Sequence, residues 1–189
     1  YGFDDIAIVP SRRTRDPEDV DISWEIDAYR FELPLMASAM DGVVSPTSAM
    51  EIGKLGGVGV LNLEGVWTRY EDPEPLLEEI SHLDVEKATA RMQQIYTEPI
   101  KPELVTQRIR EIKEAGVVSC ASLTPQRTEQ FAQALIDAEL DLFVIQGTVV
   151  SAEHVSKTVA PLNLKRFIRE FDIPVIVGGC ASYQAALHL

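Results

Sequence analysis

Cysteine and histidine are scarce in this chain, with two Cys and three His among 189 residues. Two thiols, Cys120 and Cys180, are too few for a disulfide framework and fit a reducing compartment. None of the histidines stands at ligand spacing from a Cys, Asp or Glu, which sets aside a zinc site, and no G-x-S-x-G or Ser/His/Asp arrangement is present. Basic residues are also short. Lys and Arg number 17 against 30 Asp and Glu, a formal charge of −13, and that balance excludes a sequence-nonspecific nucleic-acid binder. It leaves small-molecule binding open, because a local pocket can be positive inside an acidic protein. No run approaches the roughly 20 apolar residues of a membrane span. No charged segment followed by an apolar one opens the chain, so the expectation is a soluble cytoplasmic protein without a membrane partner.

What is present is a composition of 46% apolar and 25% charged residues, enough for one globular domain with a sizeable core. The chain opens on Tyr1 and stops at Leu189 inside a helical stretch, "SYQAALHL", without a stop signal. It reads as the N-terminal part of a single larger domain. Five short apolar runs, Pro34–Ser38, Gly59–Leu63, Val117–Ser122, Leu142–Gln146 and Pro174–Gly178, are bounded by Gly, Pro or Asp, as buried parallel strands are. Helical patterns separate them: Thr47–Leu55 behind Pro46, Pro125–Ala138 with Phe131, Leu135 and Ala138 on one face, Leu162–Phe171, and Ser182 onward. Two phrases, "IREIKEAGVVSC" and "LIDAELDLFVIQ", repeat the order helix, break, strand.

Strand and helix in alternation imply an α/β fold built of βαβ units on a parallel sheet. A doubly wound sheet usually carries a phosphate loop opening its first helix. "GKLGGVGV" precedes a strand instead, so a (β/α)8 TIM barrel, present here as about five of its eight strands, fits better. Such a segment leaves sheet edges unpaired, and residues 1–189 alone are expected to be neither a stable monomer nor active. The acidic, helical stretch 66–113 reads as an insert between the second and third strands, a solvated surface excursion.

In a barrel, a site gathers where the strands end. Those ends are Ser38 to Gly42, Asn62 to Gly65, Ser122 to Thr124, Gln146 to Thr148 and Gly178 to Cys180, each switching from apolar to small or polar residues. Bare backbone and hydrogen-bonding groups on one rim suit a polar, flat ligand. Taken singly, Met40 reads as a core residue, Asp41-Gly42 as a turn and Cys180 as a small buried hydrophobe.

Longer phrases add to this. "FDDIAIVPSRRT", "PLMASAMDGVVSPTSAMEIGKLGGVGVLN", "DLFVIQGTVVS" and "IPVIVGGCAS", in this order, resemble the IMP dehydrogenase/GMP reductase family. "VLNLEG", "TRYEDPEP" and "EPIKPEL" point to its IMP dehydrogenase-related branch, and the similarity runs over the whole chain. The resemblance implies a barrel that binds IMP or GMP together with NAD, or alternatively NADP, in a homotetramer or larger homo-oligomer, with a monovalent cation in the full-length protein. It makes Ser38 and Met40 nucleotide contacts, with Met40 under the purine, and extends the nucleotide site to Asn62, Gly178 and Gly179. Gln146, Gly147 and Thr148 fall on the cofactor side.

The sequence also departs from the family pattern. Asn62 replaces a His, Gln146 replaces the Asp that meets the nicotinamide ribose, Gly147 and Thr148 replace serines, and Cys180 replaces an Asn. The 66–113 insert stands where a regulatory CBS module would lie. The family's catalytic Cys belongs to a loop after the sixth strand, beyond Leu189, so Cys180 is not that residue. The implied reaction is NAD-dependent oxidation of IMP to XMP through a covalent Cys adduct. The alternatives are NADPH-dependent reduction of GMP to IMP, a purine-nucleotide-binding homologue without catalysis, and a flavin-dependent barrel oxygenase with a similar first strand.

Overall fold

The computed structural model describes residues 3–9, 12–147 and 162–189. Its centre is a parallel five-stranded sheet with strands in sequence order: β3 (Met36–Ala37), β4 (Val58–Asn62), β5 (Cys120–Leu123), β6 (Leu142–Gln146) and β7 (Val175–Gly178). Each of the five expected runs supplies one strand. An antiparallel hairpin, β1 (Trp24–Ile26) and β2 (Tyr29–Phe31), precedes the sheet and has no counterpart among those expectations. Its three-residue strands are too short for their alternation to show in the sequence, and only the Trp24–Phe31 ring stack, 4.9 Å between centroids, betrays what it buries.

The central strands β4, β5 and β6 are largely apolar because both of their faces are covered, whereas β3 and β7 are only partly buried. Leu61, Leu63, Ala121, Leu123, Phe143 and Ile145 pack outward with the helices, where Phe143, Phe167 and Phe171 cluster at centroid distances of 4.6–6.1 Å. Val58, Val60, Cys120, Leu142 and Val144 point to the other face and meet Phe31, with Trp24 packed alongside. This second face is the barrel interior, and the hairpin covers it.

Four helices follow the expected positions within one to two residues: α1 (Pro46–Lys54), α5 (Pro125–Asp137), α6 (Leu164–Glu170) and α7 (Tyr183–His188). Helix α1 begins in a reciprocal cap. The Ser45 hydroxyl accepts from the Ser48 N–H at 3.0 Å, and the Ser48 hydroxyl accepts from the Ser45 N–H at 2.8 Å. Gly59 allows α1 to lie close on β4, since a Cβ there would stand 2.8 Å from Ala49 Cα.

Between β4 and β5 the structure differs from a solvated excursion. Helices α2 (Glu74–Ser81) and α3 (Val85–Ile95) form a hairpin clasped by Arg91, which donates to both carboxylate oxygens of Glu79 at 2.7 and 2.9 Å. Helix α4 (Pro102–Glu114) is a crossover helix packed on the sheet, with Leu104, Val105, Ile109 and Ile112 buried. Surface charge in "PELVTQRIREIKE" hid an apolar stripe of ordinary helical spacing. Buried Arg108 on α4 donates to the Trp67 and Glu71 carbonyls at 3.0 and 2.5 Å and pairs with Glu111 at 2.9 Å, so the helix also fixes the loop after β4.

Candidate functional site

The C-terminal ends of β3 to β6 open on one cavity of about 490 Å³. Asn62, Ser122, Gln146 and Gly147 form its strand-end floor, Ala39 and Thr124 its flanks, and Glu64, Arg69 and Tyr96 the side nearest the insert. The sheet register explains the floor, because Asn62 lies opposite Ser122 and Gln146 opposite Gly178 across neighbouring strands. Ser122 donates through its hydroxyl to the Gln146 side-chain carbonyl at 3.3 Å. The Gly147 N–H donates to the Gly178 carbonyl and the Gly179 N–H to the Gly147 carbonyl, each at 2.9 Å, which brings Gly147, Gly178 and Gly179 together where β6 and β7 end.

The corner after β3 is more than a turn. The Met40 N–H donates to the Ser38 carbonyl, and the Val43 and Val44 N–H groups donate to the Met40 carbonyl, all at 2.8 Å. This coil leaves Ser38 exposed and Met40 56% exposed while burying Val44 completely. Met40 is therefore not a core residue. Asp41 turns inward: its Oδ2 accepts from the Val66 N–H at 2.8 Å and from the Tyr96 hydroxyl, and its Oδ1 receives a long contact from the Asn62 amide at 3.5 Å. Gly65 makes this approach feasible, since a Cβ there would lie 1.8 Å from Asp41 Oδ1. Asn62 is itself tied down, its Oδ1 accepting from the Glu64 N–H at 3.0 Å.

The insert supplies the remaining wall. Arg69 donates to the Glu64 carbonyl through Nε and Nη2 at 3.0 and 2.9 Å, and through Nη1 to the Tyr96 and Glu98 carbonyls. Its guanidinium lies 5.3 Å from the Tyr96 ring centroid. Burial and the Asp41 carboxylate hold the Tyr96 hydroxyl protonated well above the ordinary tyrosine range, so it remains a donor. Glu64 projects into the same space with Oε1 accepting from the Thr124 N–H at 2.6 Å.

Of the residues expected at the site, Asn62, Gln146 and Gly147 line the cavity. Ser38, Met40, Gly178 and Gly179 are not among its lining residues: Ser38 and Met40 flank the lining residue Ala39 in sequence, and Gly178 and Gly179 are hydrogen-bonded to the lining residue Gly147. Thr148 lies outside the described residues. Arg69 and Tyr96 were not anticipated. They belong to a segment read as surface, and the only available signal was an Arg and an aromatic beside proline-marked breaks. Cys180 is exposed rather than buried, whereas Cys120 is fully buried and its thiol is pushed up to about 12 by burial, with Asp141 adding to the shift. Among the described residues no cluster of His, Cys, Asp or Glu could hold a metal ion, and no helix is long and apolar enough to cross a membrane.

The IMP dehydrogenase / GMP reductase domain model matches residues 1–189, the whole chain. The chain belongs to the IMP dehydrogenase/GMP reductase family. A Mycobacterium tuberculosis relative named as an uncharacterized oxidoreductase is 45% identical over 194 residues, which cover 100% of this chain and 52% of the relative. An inosine-5'-monophosphate dehydrogenase of Methanocaldococcus jannaschii is 34% identical over 62 residues, covering 33% of this chain and 12% of that one. The crystal structure of an IMP dehydrogenase/GMP reductase-like protein from Corynebacterium glutamicum superposes with a TM-score of 0.92 at 42% identity, covering 100% of this chain and 50% of the other. The chain thus spans about half the length of the Mycobacterium tuberculosis and Corynebacterium glutamicum proteins.

Proposed function

We propose that this chain forms the strand-end half of a purine-nucleotide oxidoreductase that oxidises IMP to XMP with NAD. The observation that carries the reading is a cavity at the barrel strand ends in a chain of this family, sized for part of a nucleotide and lined by hydroxyl, amide and bare backbone groups. Inosine monophosphate is favoured as substrate because three of the relatives are named inosine-5'-monophosphate dehydrogenases. Exposed Met40 offers an apolar platform for the purine face, and Ser38, whose hydroxyl has no partner among the described residues, offers a hydrogen bond beside it. Asn62 bounds the same side, and Gly178 and Gly179 present backbone without side chains.

Gln146 and Gly147 fit a nicotinamide ribose, since the Gln146 amide N–H groups remain free to donate while Ser122 occupies one lone pair of its carbonyl. Thr148 continues that side in sequence. When bound, NAD accepts the hydride that leaves C2 of the purine. The nucleophile belongs to the remainder of the full-length protein, where a Cys thiolate adds to C2 and water later displaces it to give XMP. This chain's own part is to hold the purine flat and position C2, an entropic contribution to rate. A homotetramer and a monovalent cation belong to the same reading. The test is turnover by the full-length protein with IMP and NAD, followed by NADH absorbance and chromatographic detection of XMP. Turnover only with GMP and NADPH, giving IMP and ammonia, would assign the reductase reaction instead, and nucleotide binding without turnover in either assay would make it a binding protein.

A further inference from the structure

Among the described residues, Glu64 is the one carboxylate lining the strand-end cavity. Its backbone is held on both sides, the N–H by Asn62 and the carbonyl by two nitrogens of Arg69. Its side chain is held by one oxygen only, Oε1 on the Thr124 N–H, and among the described residues Oε2 has no hydrogen-bond partner. A carboxylate fixed at one oxygen and free at the other is a preorganised acceptor aimed into a cavity.

The neighbours decide what it accepts. Arg69 lines the same cavity, so a cationic ligand group reaching Glu64 would meet a guanidinium already there. The other polar groups on the floor, Asn62, Ser122 and Gln146, are neutral, and Gln146 has part of its acceptor capacity taken by Ser122. A ligand that brings two neighbouring neutral donors therefore finds its strongest acceptor in Glu64. We propose that Glu64 is the acceptor for a vicinal diol, the ribose hydroxyls of a nucleotide bound in this cavity. This rests on the nucleotide reading above and goes beyond it by assigning a residue and a ligand group. The diol could belong to the purine nucleotide or to the cofactor, and the deoxy analogues of each separate the two sources.

The experiment uses the full-length protein and its Glu64→Gln variant, which keeps an oxygen for the Thr124 N–H but lacks the carboxylate. Calorimetric titrations compare IMP with its 2'- and 3'-deoxy forms, and NAD with its forms deoxygenated on the nicotinamide ribose. In the unmodified protein, loss of a hydroxyl from the correct ligand weakens binding roughly ten- to hundredfold, the range for hydrogen bonds to charged groups. In Glu64→Gln the ribose form weakens by a similar factor and the penalty for deoxygenation largely disappears, while the other ligand's affinities are unchanged. A variant that discriminates against the deoxy forms of both ligands as strongly as the unmodified protein overturns the assignment while nucleotide binding stands. An unmodified protein that binds neither IMP nor NAD overturns the nucleotide reading, and this assignment with it.

Discussion

Replacing Gly65 with Ala tests the corner that supports the site. Gly65 has φ −84° and ψ −166°, a conformation open to any residue, so its backbone gives no reason for glycine. The reason is steric: a Cβ there would lie 1.8, 2.5 and 2.6 Å from Asp41 Oδ1, Cγ and Oδ2. The Asp41 carboxylate must leave, and it then loses the Val66 N–H at 2.8 Å and the Tyr96 hydroxyl. Hydrogen bonds to a charged group contribute about 1.5–3 kcal/mol each, and the partial exposure of Asp41 places the combined loss at roughly 2–4 kcal/mol. Urea unfolding of the full-length protein at fixed concentration should show that loss for Gly65→Ala. With Asp41→Ala already in place the same substitution should cost little, giving a coupling of about 2 kcal/mol in the double-mutant cycle. Additive effects at the two positions, or a Gly65→Ala variant as stable as the parent, would refute the steric account.

Three further outcomes follow from the same geometry. Ser38→Ala and Met40→Ala in the full-length protein should each weaken nucleotide binding by roughly 0.5–1.5 kcal/mol without changing the unfolding midpoint; unchanged calorimetric affinities in both would return this corner to a structural role only. Gln146→Asp should change the cofactor KM by up to about tenfold, or ~1.4 kcal/mol, and leave the nucleotide Kd nearly constant; the opposite pattern would put Gln146 against the wrong ligand. Asp141 loses some charge stability to burial, but Lys113 at 2.8 Å and the Ser119 N–H and hydroxyl outweigh that and hold its carboxyl below the usual range. A depressed folded-state value contributes stability that is present above an unfolded value near ~3.9 and is lost as pH falls through the lower folded one. Acid unfolding of Asp141→Asn should therefore lack that part of the parent's pH dependence, and parallel profiles would contradict the pairing.

The sheet was legible because five continuous apolar runs, each ending in Gly or a polar residue, have few other readings. The hairpin at Trp24 to Phe31 was not, since three-residue strands do not reveal a period. Helix α4 was misread because its Arg and Glu residues outnumber its apolar ones, although Leu104, Val105, Ile109 and Ile112 keep helical spacing. At the site, residues on strand ends could be found from the position of their strands. Arg69 and Tyr96 could not, because they reach the cavity through the loop after β4 and the end of α3, and no local pattern states where a loop returns. Asp41 was read as half of an Asp-Gly turn, and only the approach of Gly65 from 24 positions away shows what its carboxylate does.

The order β3-β4-β5-β6-β7, with every strand beside its sequence neighbour, also bears on how the chain is made. During synthesis each strand after β3 emerges to find one partner already formed, so pairing can keep pace with elongation, while the outer edge of β3 stays open. At every stage the most recently completed strand carries a row of unpaired N–H and C=O groups. A ribosome stalled after β7 would hold that row open to any other extended chain nearby, and such a stall is where this architecture is most exposed to aggregation.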